Sequence, residues 1–153
     1  MALTLTSSKI PPNGKIPREY VGDQGVSPPL HWLGAPSGTR SYALIMDDPD
    51  APSGDFVHWL TWNIPAQQND LHEDFAHHDG NGTGMQQGQN SYAHKGYDGP
   101  NPPPGKPHRY VFHLYALDDE LPLKEGASRR EVESAMRGHV LAEAQLVGSY
   151  RRR

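Results

Sequence analysis

Apolar positions fall in short blocks separated by clusters of proline and glycine. LTLTS at 3–7 alternates with a period of two and predicts a first strand. Residues 8–40 are rich in Pro, Gly and Ser, with short extended pieces expected around Ile16 and Tyr20. The first half of SPPLHW at 27–32 cannot be helical, because each proline lacks an amide donor and restrains its predecessor. SYALIMDD at 41–48 predicts a strand, and FVHWLTWNI at 56–64 a stronger one. Alternation puts Phe56, Leu60, Trp62 and Ile64 on one face of the latter, and Val57 and Trp59 on the other. A strand apolar on both faces is expected at the centre of a sheet, covered twice. RYVFHLYAL at 109–117 has the same character. Residues 66–107 read mostly as loop, GNGTGMQQGQNS at 80–91 being the most irregular part.

A single helix is predicted. Ser128 caps it, and Glu131 three residues later completes a capping-box pattern. Val132, Ala135, Met136, His139/Val140 and Ala144 (or Val147) then follow at helical spacing, with Gly148 as the stop. Gly138 inside this helix marks a point of close packing. The amphipathic pattern predicts that the helix docks on the sheet.

Composition reinforces the β reading. Sixteen glycines and fifteen prolines in 153 residues argue against a helical bundle. The length suits one domain over 1–150, followed by a basic tail at 151–153 that is expected to be solvated. There is no cysteine, which excludes disulfides, thiol catalysis and Cys-ligated metal. The net charge of −4 argues against a general nucleic-acid surface. MALTLTSSKIPPNG carries neither a basic n-region nor a long apolar h-region, so a cytoplasmic location without membrane insertion is expected.

The candidate chemistry lies at strand ends. Only PDAPSGD joins the segments 41–48 and 56–64, so the end of one lies near the start of the other. Asp48 ends the first, His58 is near the start of the second, and His108 immediately precedes 109–117. If 109–117 runs parallel to 56–64, all three side chains gather at one end of the sheet. GYDGPNPPPGKPHRY at 96–110 is a stiff, exposed stretch that reads as one wall of a preformed pocket. His113 reads as a core histidine, and His31 as packed beside Trp32. His94 has no assignable partner. His72, His77 and His78 sit with Glu73, Asp74 and Asp79 at a spacing that matches no closed zinc pattern, and read as solvated. No metal or cofactor is expected.

DPDAP at 48–52, VHW at 57–59, GP-x-PP at 99–103 and HRY at 108–110 together resemble the phosphatidylethanolamine-binding proteins. SPPLHW at 27–32 and HVLAEAQLVGSY at 139–150 resemble the compact bacterial and archaeal, Raf-kinase-inhibitor-like branch. The resemblance runs from about Leu3 to Val147. It implies a mainly β fold, an antiparallel β-sandwich with Greek-key connections and a short carboxy-terminal α-helix. It also implies a small anion pocket lined by Asp48, His58, His108 and Tyr110, with Phe56 as an apolar wall. Asp50 and Pro52 of the first motif, and Tyr97, Gly99, Pro102 and Pro103 of the loop, are carried over with it. Asn101 departs from the cysteine common in the prokaryotic GP-x-PP motif.

The implied ligand is phosphate or a small phosphoethanolamine-like zwitterion, since 47–58 carries Asp47, Asp48, Asp50 and Asp55 and no base. The implied partners are a second copy, in a homodimer, and a regulated kinase or protease. The competing reading is a hydrolase or lyase using Asp48, His58 and His108, as acid and base or as a metal site, with Ser53 nearby. Against it, the chain has no G-x-S-x-G elbow, no HExxH, no P-loop and no dinucleotide fingerprint. The expectation is a binding protein without catalytic residues. A third reading is a kinase- or protease-inhibiting scaffold.

Overall fold

Period-two apolar patterning builds two sheets. The computed structural model describes residues 2–52, 54–76 and 85–152. In chain order the elements are β1 (Thr4–Thr6), β2 (Gly14–Lys15), a 3-10 turn (Arg18–Tyr20), β3 (Leu30–Leu33), β4 (Ser41–Asp48), β5 (Phe56–Pro65), β6 (Asp70–Leu71), β7 (Gln86–Gln87), β8 (His108–Leu117), α1 (Arg129–Met136) and β9 (Val140–Tyr150). A small sheet has the order β1-β3-β6, and a large one the order β2-β9-β8-β4-β5-β7. All pairs are antiparallel except β2 with β9.

The large sheet is covered on both faces. Tyr42, Leu44, Met46, Phe112, Leu114 and Leu146 meet Leu5, Leu30 and Trp32 of the small sheet. On the opposite face Ala43, Ile45 and Leu117 meet Val132 and Met136 of α1. Alternation along β4 therefore sends Tyr42, Leu44, Met46 and then Asp48 one way, and Ala43, Ile45 and then Asp47 the other.

Three expectations change. First, β5 is covered twice but is not central, since it lies between β4 and the two-residue β7. Second, its faces do not follow simple alternation. Trp59 and Ile64 enter the inter-sheet core, while Val57, Leu60 and Trp62 enter the helix-side core. The register against β4 slips twice, once at His58 and once at Trp62–Asn63, where Asn63 takes φ 59°. Each slip is a bulge that reverses the facing of the residues beyond it.

Third, the helix stops at Met136, and Val140–Tyr150 is a strand. The capping box at Ser128 and Glu131 is present as expected. Gly138, at φ +84°, ends the helix in the left-handed conformation rather than packing inside it, with nothing near its Cβ position. Ten residues of β9 have partners in the β8 register, and this pairing overrides the helical propensity of its Leu, Ala, Glu and Gln. The expected cluster around His77, His78 and Asp79, residues 80–84, and Ser53 lie outside the described residues.

Candidate functional site

The site forms where three strands end together. β4 is antiparallel to both of its neighbours, so β5 and β8 run parallel to each other on either side of it. The topological condition for bringing Asp48, His58 and His108 together is thereby met. These residues border a cavity of about 210 Å³, together with Ala51, Pro52, Phe56, Tyr92, Asn101, Pro102, Pro103 and Tyr110.

Asp48 is 3% exposed and held on both oxygens. Oδ1 accepts from the Asp50 amide at 2.8 Å, an aspartate turn over Pro49. Oδ2 accepts from His108 Nδ1 at 2.7 Å. The carboxylate thus fixes the tautomer of His108 and leaves Nε2 as its second ring nitrogen. The bulge at the start of β5 turns the ring of His58 onto the same face as Tyr110, their centroids 5.4 Å apart. His58 Nδ1 donates to the Asp98 carbonyl oxygen at 2.7 Å, again leaving Nε2. Burial holds the His58 pKa below the ordinary histidine value and outweighs the opposing pull of the Asp98 carbonyl and the nearby aspartates. Its neutral form is therefore favoured.

Tyr110 is fully buried, and its hydroxyl has no hydrogen-bond partner among the described residues. Burial, and then the charge and the hydrogen-bonding pull of the nearby Asp48 carboxylate, push this hydroxyl well above the usual tyrosine pKa, so it remains a proton donor, although no bond of normal length is closed. Phe56 and Tyr92 pack edge to face at 4.7 Å, and Phe56 lies 5.2 Å from the ring of His58. The cavity is thus an aromatic and proline-walled box with a few polar atoms at its base. None of its bordering residues is Lys or Arg.

Three carried-over residues stand behind or beside the cavity. Tyr97 is buried and donates its hydroxyl to the Tyr20 carbonyl at 2.7 Å. A Cβ on Gly99 would lie 2.0 Å from that same Tyr20 oxygen, so only glycine fits. Together they clamp the backbone on either side of Asp98, whose carbonyl orients His58. Asp50 points to the rim, where Arg109 reaches it through the backbone amide, Nε and Nη2 at 2.8–3.0 Å. These bonds hold the Asp50 carboxyl down at about 2.

Residue reasoning alone missed Tyr92, Ala51 and the Asp98 carbonyl. Asn101, read only as a departure from a motif, is a wall residue. Tyr92 lies in an irregular stretch with no periodic signal, and only its ring contacts reveal it.

A second histidine–aspartate pair lies back to back with the first. His113, expected as a core histidine, is bonded through Nε2 to Asp47 Oδ1 at 3.1 Å on the helix side of the sheet. Arg129 at the start of α1 reaches Asp47 Oδ2 and Asp55 Oδ2, each at 2.9 Å. Burial alone would raise the Asp47 pKa, but His113 and Arg129 outweigh it and hold it down. Burial would lower the His113 pKa, but Asp47 outweighs it and raises it. Asp55 closes the 49–55 connection, so this rim of the cavity is tied at one end by Arg109 and at the other by Arg129.

Comparisons place this architecture among known proteins. A profile described as Phosphatidylethanolamine-binding protein matches residues 6–151. A UPF0098 protein of Methanothermobacter thermautotrophicus is 49% identical over 140 residues, covering 91% of this chain and 92% of that protein. A UPF0098 protein of Aquifex aeolicus is 46% identical, covering 92% and 84%. The crystal structure of E. coli YbcL, described as a member of the mammalian PEBP family, superposes with TM-score 0.93 at 32% identity over the full length of both chains. The structure of the homologue CT736 from Chlamydia trachomatis superposes with TM-score 0.88 at 35% identity, covering 99% of each chain. The profile match, these identities and the shared two-sheet fold agree, and the chain belongs to the phosphatidylethanolamine-binding protein family.

Proposed function

We propose that the cavity at Asp48, His58, His108 and Tyr110 binds the phosphoryl group of a small ligand without turning it over. The observation that carries this reading is the buried Tyr110 hydroxyl, which lacks a partner beside two imidazoles whose Nδ1 atoms are already engaged. A buried donor left unpaired is costly, and a phosphoryl oxygen would satisfy it. Neutral His58 offers Nε2 to the hydrogen of a monoprotonated phosphoryl group, or takes up that proton as the anion enters. With no Lys or Arg on its walls and an aspartate at its base, the cavity suits a ligand that also carries positive charge. An ammonium is accommodated by Asp48 and by the faces of Phe56 and Tyr92. A phosphoethanolamine-like zwitterion is therefore the favoured class.

The test is an NMR titration with inorganic phosphate and then O-phosphoethanolamine, on wild type and on the double variant His58→Ala/His108→Ala. Saturable shifts at His58, His108 and 97–105 are expected in wild type only, with tighter binding of phosphoethanolamine. No saturable shift at millimolar ligand would overturn the reading. Hydrolysis of a phosphate ester, abolished by His58→Ala, would replace it with catalysis. The same proposal includes a cytoplasmic, homodimeric protein regulating a kinase or protease, all carried by the family resemblance.

A further inference from the structure

A second concavity of about 590 Å³ lies beside the first and has the opposite electrostatic character. Lys15, Arg18, Arg151 and Arg152 line it, over a floor that includes Ile16, Pro107 and Tyr150. No acidic residue is among its walls. Among the described basic side chains only Arg109 (with Asp50), Arg129 (with Asp47, Asp55 and Glu133) and Lys95 (with Glu125) are ion-paired, and what sets the groove apart is that four of the others converge in it. Among the described residues, the four in the groove form no ion pair with a carboxylate. Four like charges converge there on a chain whose net charge is −4. They repel one another and raise the local concentration of anions.

The backbone narrows the class of anion. β2 is the outermost strand of the large sheet. Ile16 N donates to Ser149 O at 2.8 Å in the parallel ladder with β9. The intervening N–H and C=O of Lys15 therefore face the free edge of the sheet. One open donor and one open acceptor, spaced as in a strand and flanked by unpaired cations, match an extended acidic peptide. They match a bilayer poorly, because the surface is concave. A nucleic acid has no peptide main chain to pair with the edge.

We infer that this groove docks an extended, acidic segment of a protein partner, held by Lys15, Arg18, Arg151 and Arg152 and by the Lys15 main chain. Pro107 in the groove adjoins His108 in the cavity, and Tyr150 is paired across the ladder with His108. A docked segment would thus lie alongside the cavity, but its binding does not depend on what the cavity holds.

The test is fluorescence anisotropy with a labelled octapeptide of alternating Glu and Val, using the full chain. The expected results are saturable binding that weakens with added salt, no binding of the Gln-for-Glu peptide, and a roughly tenfold loss in the variant Lys15→Glu/Arg151→Glu. A peptide methylated on alternate backbone nitrogens should bind less tightly than its parent, and NMR shifts should centre on Lys15, Ile16 and Tyr150. Unchanged affinity in the charge-reversal variant, with its NMR spectrum showing an intact fold, would overturn the inference. So would tighter binding of a single-stranded oligonucleotide or of phosphatidylserine vesicles than of the peptide. Phosphoethanolamine titrated into the same variant provides the separation: it should still shift His58 and His108 if the cavity reading holds, whatever the peptide does.

Discussion

The residue that defines the cavity is Tyr110, because its buried hydroxyl closes no hydrogen bond of normal length and has only the already engaged Asp48 carboxylate in reach. An unsatisfied buried hydroxyl costs on the order of 1–3 kcal/mol. Tyr110→Phe should therefore leave urea stability unchanged or raise it by up to about 1 kcal/mol, while weakening phosphoethanolamine binding in the same protein. Equal losses of stability and binding would place the hydroxyl in the framework of the fold instead. At this scale much of the candidate site's geometry was legible. Asp48, His58 and His108 were placed at strand ends by spacing alone, and the family motifs added Phe56, the prolines and Tyr110. Tyr97, Gly99 and Asp50 were legible as motif members but not as supports. Nothing in a sequence distinguishes a glycine that touches a ligand from one that touches the Tyr20 carbonyl.

Among the elements, α1 carries a position that its own electrostatics oppose. Arg129 sits in the first turn, where the helix dipole disfavours a cation. Its partners Asp47, Asp55 and Glu133 explain why it is there. Arg129→Ala leaves the buried Asp47 carboxylate short of one cation and should cost roughly 3 kcal/mol in urea unfolding. Ser128→Ala removes only a cap and should cost about 1 kcal/mol. Adding Asp47→Asn to Arg129→Ala should recover part of the larger loss, and purely additive losses would argue against the pair. The strand misread as helix belongs to this scale too. In β9 the buried positions Ala144 and Leu146 are two apart, yet Val140, Ala144 and Val147 also satisfy a helical repeat. A short, half-polar segment supports both periods, and pairing with β8 decides between them. The signal that could have decided it was Gly138, read as packing when it was a stop.

For the molecule as a whole, the Asp47–His113 pair on the helix side of β4 makes stability depend on pH. The His113 pKa is raised on folding, so its contribution is full below the ordinary value of about 6.5 and is lost as pH rises through the raised value. The Asp47 pKa is lowered, so its contribution is full above the ordinary value of about 3.8 and is lost as pH falls through the lowered value. Both are complete only between these limits. The gap in melting temperature between wild type and His113→Gln should be widest near about pH 5 and narrow towards about pH 9. A constant gap would assign His113 to packing alone. Such coupling escapes sequence reasoning because Asp47 and His113 are 66 positions apart and meet only through the β4–β8 register.

The same register has a kinetic side. Asp48 and His108 are separated by 60 positions, and β8 brings His108 to Asp48 by pairing with β4. The hairpin of β4 with β5 closes over a short turn, whereas docking β8 must first overcome the entropy of a long open loop. Asp48 gains its imidazole partner only when β8 docks on β4, so ligand recognition arrives with that long-range pairing and not with the hairpin that carries Asp48 and His58.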